Sequence, residues 1–178
     1  MLVQTKEHTM PSASKNKLYL LLEEMLENND SDEKLKLLLS QFDASDFMKY
    51  PILFDLICHG KVNLLHYLYE IKIPFTYKDE SNATVLHAAS AISGNLDIVK
   101  FLFENNIFTN INACTDENET PFILAIMYEK KDILDYFLKK ATPDLSIKTV
   151  YGNTAFSLAE KTGNLSIINL LNKTITKD

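Results

Sequence analysis

A chain of 178 residues with 46% hydrophobic content is sized for one ordinary packed domain. The net charge is −6 and all eighteen basic residues are lysine, so neither arginine's bidentate fork nor a basic surface is there to favour a nucleic-acid partner. No run approaches the roughly eighteen apolar residues of a membrane span, and no membrane partner is expected.

Residues 1–14 are polar and lack the apolar core of a secretory signal, which reads as a disordered tail. Lys15 to Asn28 carries Leu18, Leu21, Leu22, Met25 and Leu26 at the spacing of one helical face. Asp30-Ser31-Asp32 reads as a capping turn rather than a metal-binding carboxylate pair, with Ser and Asp side chains accepting from free N–H groups. A second helix is expected over Asp32 to Phe42, with Leu35, Leu38, Leu39 and Phe42 on one face. Residues 15–47 thus read as a pair of N-terminal capping helices whose outer face would meet water instead of a neighbour. Helices follow near Tyr50 to His59 and Val62 to Glu70.

From Phe47 onward one pattern recurs, with anchors Leu53, Leu86, Phe122 and Phe156 spaced 33 to 36 residues apart. Its clearest copy runs Asn82-Ala83-Thr84-Val85-Leu86-His87-Ala88-Ala89 and, after one extra residue, Gly94-Asn95-Leu96-Asp97-Ile98-Val99-Lys100-Phe101-Leu102. The next runs Asn118-Glu119-Thr120-Pro121-Phe122-Ile123-Leu124-Ala125, then Asp132-Ile133-Leu134-Asp135-Tyr136-Phe137-Leu138. The scarce residues agree. Gly60, Gly94 and Gly163 fall between paired helices and Gly152 at a hairpin tip, where Asn82 and Asn118 stand in elsewhere. Pro121 after Thr120 makes an N-cap followed by a ring at the first helical position. Pro74 and Pro143 lie just past second helices.

This pattern resembles the ankyrin repeat, with its Gly-x-Thr-Pro-Leu-His-x-Ala start and Ile-Val-x-x-Leu-Leu second helix. The resemblance implies an all-α solenoid of stacked helix-turn-helix units joined by β-hairpin loops. Its repeats would span about 48–80, 81–116, 117–149 and 150–178. The first puts Phe54 where the motif has His, and Leu56 and Ile57 where it has small residues. The last puts Glu160 at a small position, which marks it as the end of the stack because a carboxylate cannot be buried cheaply against another unit.

The resemblance also implies where to look for function. First helices would line a concave face, with variable positions just before the inter-helix Gly and at the hairpin tips. In this chain these are Cys58 and His59, Ala91, Ile92 and Ser93, Met127 and Tyr128, and Lys161 and Thr162. At the tips they are Glu80, Ser81 and Ala83, then Asp116, Glu117 and Glu119, then Val150, Tyr151 and Asn153. Ile92, Met127 and Tyr128 form the expected apolar cluster, and Glu80, Ser81, Asp116, Glu117, Glu119, Tyr151 and Lys161 its rim. The alternative is that Ile92 and Met127 pack between helices and only Tyr128 is free. His87 is implied to be structural, its ring bonded to the hairpin backbone and to the Thr of its own motif.

The chain carries no Gly-rich phosphate loop, Gly-x-Ser-x-Gly elbow, His-Glu-x-x-His or Cys-x-x-Cys. Cys58, His59 and His66 lie within nine residues but on different helices, so neither a metal nor a cofactor is expected. Cys58 and Cys114 fall about two repeats apart and are poorly placed for a disulfide, which suits a cytoplasmic location. The expected protein is a monomeric, non-catalytic interaction module, an adaptor or an occluding inhibitor, with delivery as a bacterial effector into a host cytosol as one form. The alternative is an enzyme or antitoxin-like regulator with its activity in the divergent N-terminal segment.

Overall fold

Three threonines start three helices in the same way. Thr84, Thr120 and Thr154 sit in extended backbone at the N-caps of α6 (Val85–Ala88), α8 (Pro121–Met127) and α10 (Ala155–Thr162). The Thr120 hydroxyl accepts from the Ile123 N–H at 3.0 Å and that of Thr154 from the Ser157 N–H at 3.2 Å, each satisfying a donor the helix cannot. The computed structural model describes residues 17–93 and 95–175; the expected tail at 1–14 and the glycine at 94 lie outside them.

The remaining helices are α1 (Lys17–Glu27), α2 (Asp32–Leu39), α3 (Ala44–Lys49), α4 (Ile52–Cys58), α5 (Val62–Glu70), α7 (Leu96–Glu104), α9 (Lys131–Lys140) and α11 (Leu165–Ile175). They stack in two rows. The first helices pack in the order α1, α4, α6, α8, α10, and the second helices in the order α2, α5, α7, α9, α11. Between the rows runs one continuous apolar core, including Leu22, Leu53, Leu86, Leu102, Ile126, Phe137 and Ile167, each inaccessible or nearly so. Leu56 and Ile57, where the motif has small residues, are both fully buried in this core.

Three fingers join the later pairs, each closed by the same turn. The N–H groups of Asp79, Thr115 and Thr149 donate to the carbonyls of Ala83, Glu119 and Asn153 at 3.1, 3.0 and 2.9 Å. Each turn needs one residue in the left-handed region, supplied by Asn82 (φ +62°), Asn118 (φ +54°) and Gly152 (φ +75°). Glu129 takes the position of an inter-helix glycine at φ +57°. That conformation costs an L residue on the order of 1 kcal/mol, and here the Glu129 carboxylate gains a 2.8 Å hydrogen bond from the Asn164 amide of the next repeat.

The N-terminal unit departs from the sequence reading in four ways. The buried face of α1 is Tyr19, Leu22 and Leu26, whereas Leu21 is exposed. Tyr19 stacks on Tyr50 at 4.8 Å and donates to Asp55 at 2.7 Å, so contact with α4 adds Tyr19 to a face on which Leu22 and Leu26 are buried and Leu18 and Met25 pack against the core. The helix expected over Asp32 to Phe42 ends at Leu39. A short helix, α3, then stands where later repeats have a finger, started by a capping box in which Asp43 accepts from the Ser45 and Asp46 N–H groups and Asp46 from that of Asp43. Ser31 makes no capping bond with its side chain; Asp30 instead accepts from Lys34.

The extra residue of the second repeat is absorbed inside a helix. After Ala88 the backbone widens into a π-helical turn, Ala89–Ser93, which packs on α4 and α8. A π-turn accommodates one added residue without shifting the helices on either side. Ser90, fully buried there, donates to the Leu86 carbonyl at 2.7 Å, so its hydroxyl is satisfied within the turn.

Candidate protein-binding surface

The first-helix row ends at the residues just before each inter-helix turn, and several of the side chains there are open. Met127 and Tyr128, at the C-terminal end of α8, are 38% and 47% exposed. Both therefore reach solvent, unlike the alternative in which Met127 packs away. Ile92 lies in the π-turn of the same row, but its side chain is outside the described residues. Ala91 is buried, and so is Ala83 in the first finger; both are structural, not surface. Cys58 and His59 are exposed in the same row, with the His59 ring Nδ1 2.8 Å from the Asp55 carbonyl. Local desolvation of the sulfur and then the neighbouring Asp55 push the Cys58 thiol up to about 11.

The fingers form a second, continuous edge. The Asp116 N–H donates to the Ser81 carbonyl at 2.9 Å and the Val150 N–H to the Glu117 carbonyl at 3.0 Å, so each tip is tied to the one before it. The Asn82 amide adds a 2.7 Å bond to the Asp116 carboxylate. Glu80 and Asp116 are exposed, while Ser81, Glu117 and Glu119 are half-buried. Burial, with Glu117 adding repulsion, raises the Glu119 carboxyl above its ordinary value. Ser81 is turned inward, its hydroxyl donating to Asp79 at 2.7 Å. Asp79 also accepts from the Ser81 and Ala83 N–H groups and so organises the first finger. The sequence reading passed over it, although an Asp two residues before Ser81-Asn82 is an Asx-turn signal. Tyr151 and Val150 are 73% and 56% exposed. Lys161 reaches back along α10 to the Asn153 side chain at 2.6 Å, tying helix to finger.

His87 is fully enclosed. Its Nδ1 accepts from the Thr84 N–H at 3.0 Å, which leaves Nε2 to carry the proton and donate to the Ala113 carbonyl at 3.0 Å. The ring thus joins its own helix start to the next finger, the structural role that the resemblance implies. Burial holds its pKa below the ordinary value near 6.5. The unfolded chain consequently binds the proton more readily, and the His87 contribution to stability is full above about pH 6.5 and shrinks as pH falls toward the lower folded value. His87→Ala is expected to cost about 1–3 kcal/mol, because it leaves buried partners unpaired. Melting curves between about pH 7 and 5 should fall less steeply for the variant than for the native chain; identical slopes would refute the assignment. Glu119 works in the opposite sense, its raised pKa favouring the fold as it takes up a proton, so the comparison between the two chains isolates His87.

Among the described residues, no three His, Cys, Asp or Glu side chains converge on a possible metal position. The His66 ring packs edge-on against Phe101 at 4.4 Å, away from Cys58 and His59. No described helix is long and apolar enough to cross a membrane.

Paired helices stacked in two rows and joined by hydrogen-bonded fingers define a helical repeat solenoid. A family model described as ankyrin repeats, three copies, matches residues 91–178. An ankyrin repeat protein of Rickettsia bellii is 46% identical over 81 residues, covering 44% of this chain and 68% of the relative. An ankyrin repeat protein of Acanthamoeba polyphaga mimivirus is 30% identical over 129 residues, covering 68% of this chain and 42% of that larger relative. The chain belongs to the ankyrin repeat family. Such repeats generally mediate protein–protein interaction and are typically non-catalytic.

Proposed function

We propose that this chain binds a protein partner through its first-helix row and finger tips, acting as an adaptor or as an inhibitor that occludes its partner. The observation that carries the reading is the exposed pair Met127 and Tyr128, open at the end of α8 in the row that also holds Ile92. Adjacent exposed Met and Tyr side chains are typical anchors of protein contacts, and surrounding polar groups exclude water from them. Glu80, Ser81, Asp116, Glu117, Glu119, Tyr151 and Lys161 form the rim in this reading. A monomer in a reducing cytosol fits the free thiols of Cys58 and Cys114. The lysine-rich, arginine-free composition supports origin in an AT-rich genome, and with it the effector form of the proposal, in which the partner is a host protein.

Affinity capture with the intact chain, read by mass spectrometry, tests the surface. Met127→Glu combined with Tyr128→Ala is expected to abolish capture of the main partner while changing stability by less than about 0.5 kcal/mol per site. Lys100→Ala, in the second-helix row, serves as the control. His66 is unsuitable for that purpose because its ring packs against Phe101. If Lys100→Ala weakens capture and the Met127/Tyr128 variant does not, the partner uses the second-helix row and the proposal fails.

A further inference from the structure

We propose that the residue added to the second repeat is a functional insertion: the π-turn Ala89–Ser93 is kept at a cost in stability because it reshapes the middle of the partner-binding row. This rests on the protein-binding reading above and makes the backbone of the second repeat a determinant of which partner fits.

Three observations support it. The first is an anomaly of spacing within one molecule. From the N-cap to the left-handed residue that closes the first helix, Pro51 to Gly60, Thr120 to Glu129 and Thr154 to Gly163 are equally far apart. From the Thr84 N-cap to Gly94 the chain is one residue longer. The surplus is held inside the helix as a π-turn packed on α4 and α8, a rare form that is found often at functional places.

Secondly, the core gains nothing from it. Counted from the N-cap, Ser90 stands where α4 and α8 have Ile57 and Ile126, and all three side chains are fully buried. A serine there buries less apolar surface than an isoleucine. Its hydroxyl must also be satisfied locally, which it achieves by donating to the Leu86 carbonyl at 2.7 Å. Leu86 before the turn and Ile98, Val99 and Leu102 after it are fully buried, so the flanking helices keep the packing of an ordinary repeat.

The third observation ties the turn to the surface. Cys58, Met127 and Lys161 hold one position, counted from the N-cap, in their repeats, and all three are exposed. Ala91 holds that position in the second repeat and is only 6% exposed. The wider turn therefore rolls this position inward and changes what the second repeat presents. It does so between the exposed Cys58 and His59 at the end of α4 and the exposed Met127 and Tyr128 at the end of α8. The centre of a contact carries most of its binding energy, and backbone strain kept at such a place is strain with a use.

The test deletes Ala91 from the full chain. Deletion restores the interval of the other repeats and leaves Ile92 and Ser93 before Gly94, as Met127 and Tyr128 precede Glu129. The melting midpoint is expected to rise by at least about 2 °C, and capture of the main protein retained by the native chain to fall roughly tenfold or more. In the 15N-labelled native chain, the amides of residues 90–93 should exchange with solvent faster than those of Ile126, Met127 and Tyr128. Equal rates would show that the turn carries no strain and would overturn the proposal. Deletion of Ser93 reaches the same interval by a second route, and whichever variant folds decides the outcome. If both unfold or melt below the native chain, the added residue serves the fold and the proposal is overturned. Undiminished capture by a folded variant overturns it too. Capture that survives the deletion but is lost with Met127→Glu and Tyr128→Ala would leave the protein-binding reading standing and remove only this inference.

Discussion

Removing the chain from Thr149 onward is expected to produce aggregation or a large fall in melting temperature. The deletion takes away α10 and α11, which lie against α8 and α9. Their buried side chains, Ala155, Leu158, Ala159, Ile167 and Leu171, form the last layer of the shared core. A repeat contacts only its neighbours, so losing the terminal unit exposes the whole apolar face of the one before it. Glu160 and Lys161 are exposed on α10. The deletion also removes Asn164, the partner that offsets the left-handed conformation of Glu129. Size-exclusion chromatography and a thermal melt read the outcome. A truncated chain that stays monomeric with an unchanged midpoint would show that the third repeat needs no cap.

Leu86→Ala and Leu102→Ala should each destabilise the fold by about 2–5 kcal/mol, the usual range for truncating a buried leucine. Both side chains are fully inaccessible, one on a first helix and one on a second helix of the same repeat. At about 2–4 °C per kcal/mol for a chain of this size, the midpoint should fall by roughly 5–20 °C. Leu165→Ala is the matched control, since that side chain is exposed on α11 and should change stability by less than about 0.5 kcal/mol. Equal effects at Leu165 and Leu86 would contradict the burial pattern.

What was legible in the sequence is what short stretches of chain decide for themselves. Thr84, Thr120 and Thr154 announce helix starts because a hydroxyl at an N-cap satisfies a donor a few residues away. Asn82, Asn118 and Gly152 announce finger turns because few residues tolerate a positive φ. The repeat interval then orders these local signals into a solenoid, and even the position of the added residue in the second repeat could be read. Of the surface positions expected from the resemblance, Met127, Tyr128 and Tyr151 are exposed; the side chain of Ile92 lies outside the described residues.

Tertiary structure decided the rest. In α1 the expected stripe faces inward at Leu22 and Leu26, with Leu18 and Met25 packed against the core and only Leu21 turned out. Docking on α4 brings Tyr19 in beside them, against Tyr50 and Asp55, a contact with residues distant in the chain that no local pattern signals. The same holds for Ala83 and Ala91, which occupy variable positions of the motif yet are covered by adjacent elements. The π-turn that takes up the extra residue packs on α4 and α8, and the side chain of Glu129, in its left-handed turn, meets Asn164 of the next repeat. Patterns within one repeat set its caps and turns, whereas which side chains remain open to a partner is settled by the repeats packed on either side.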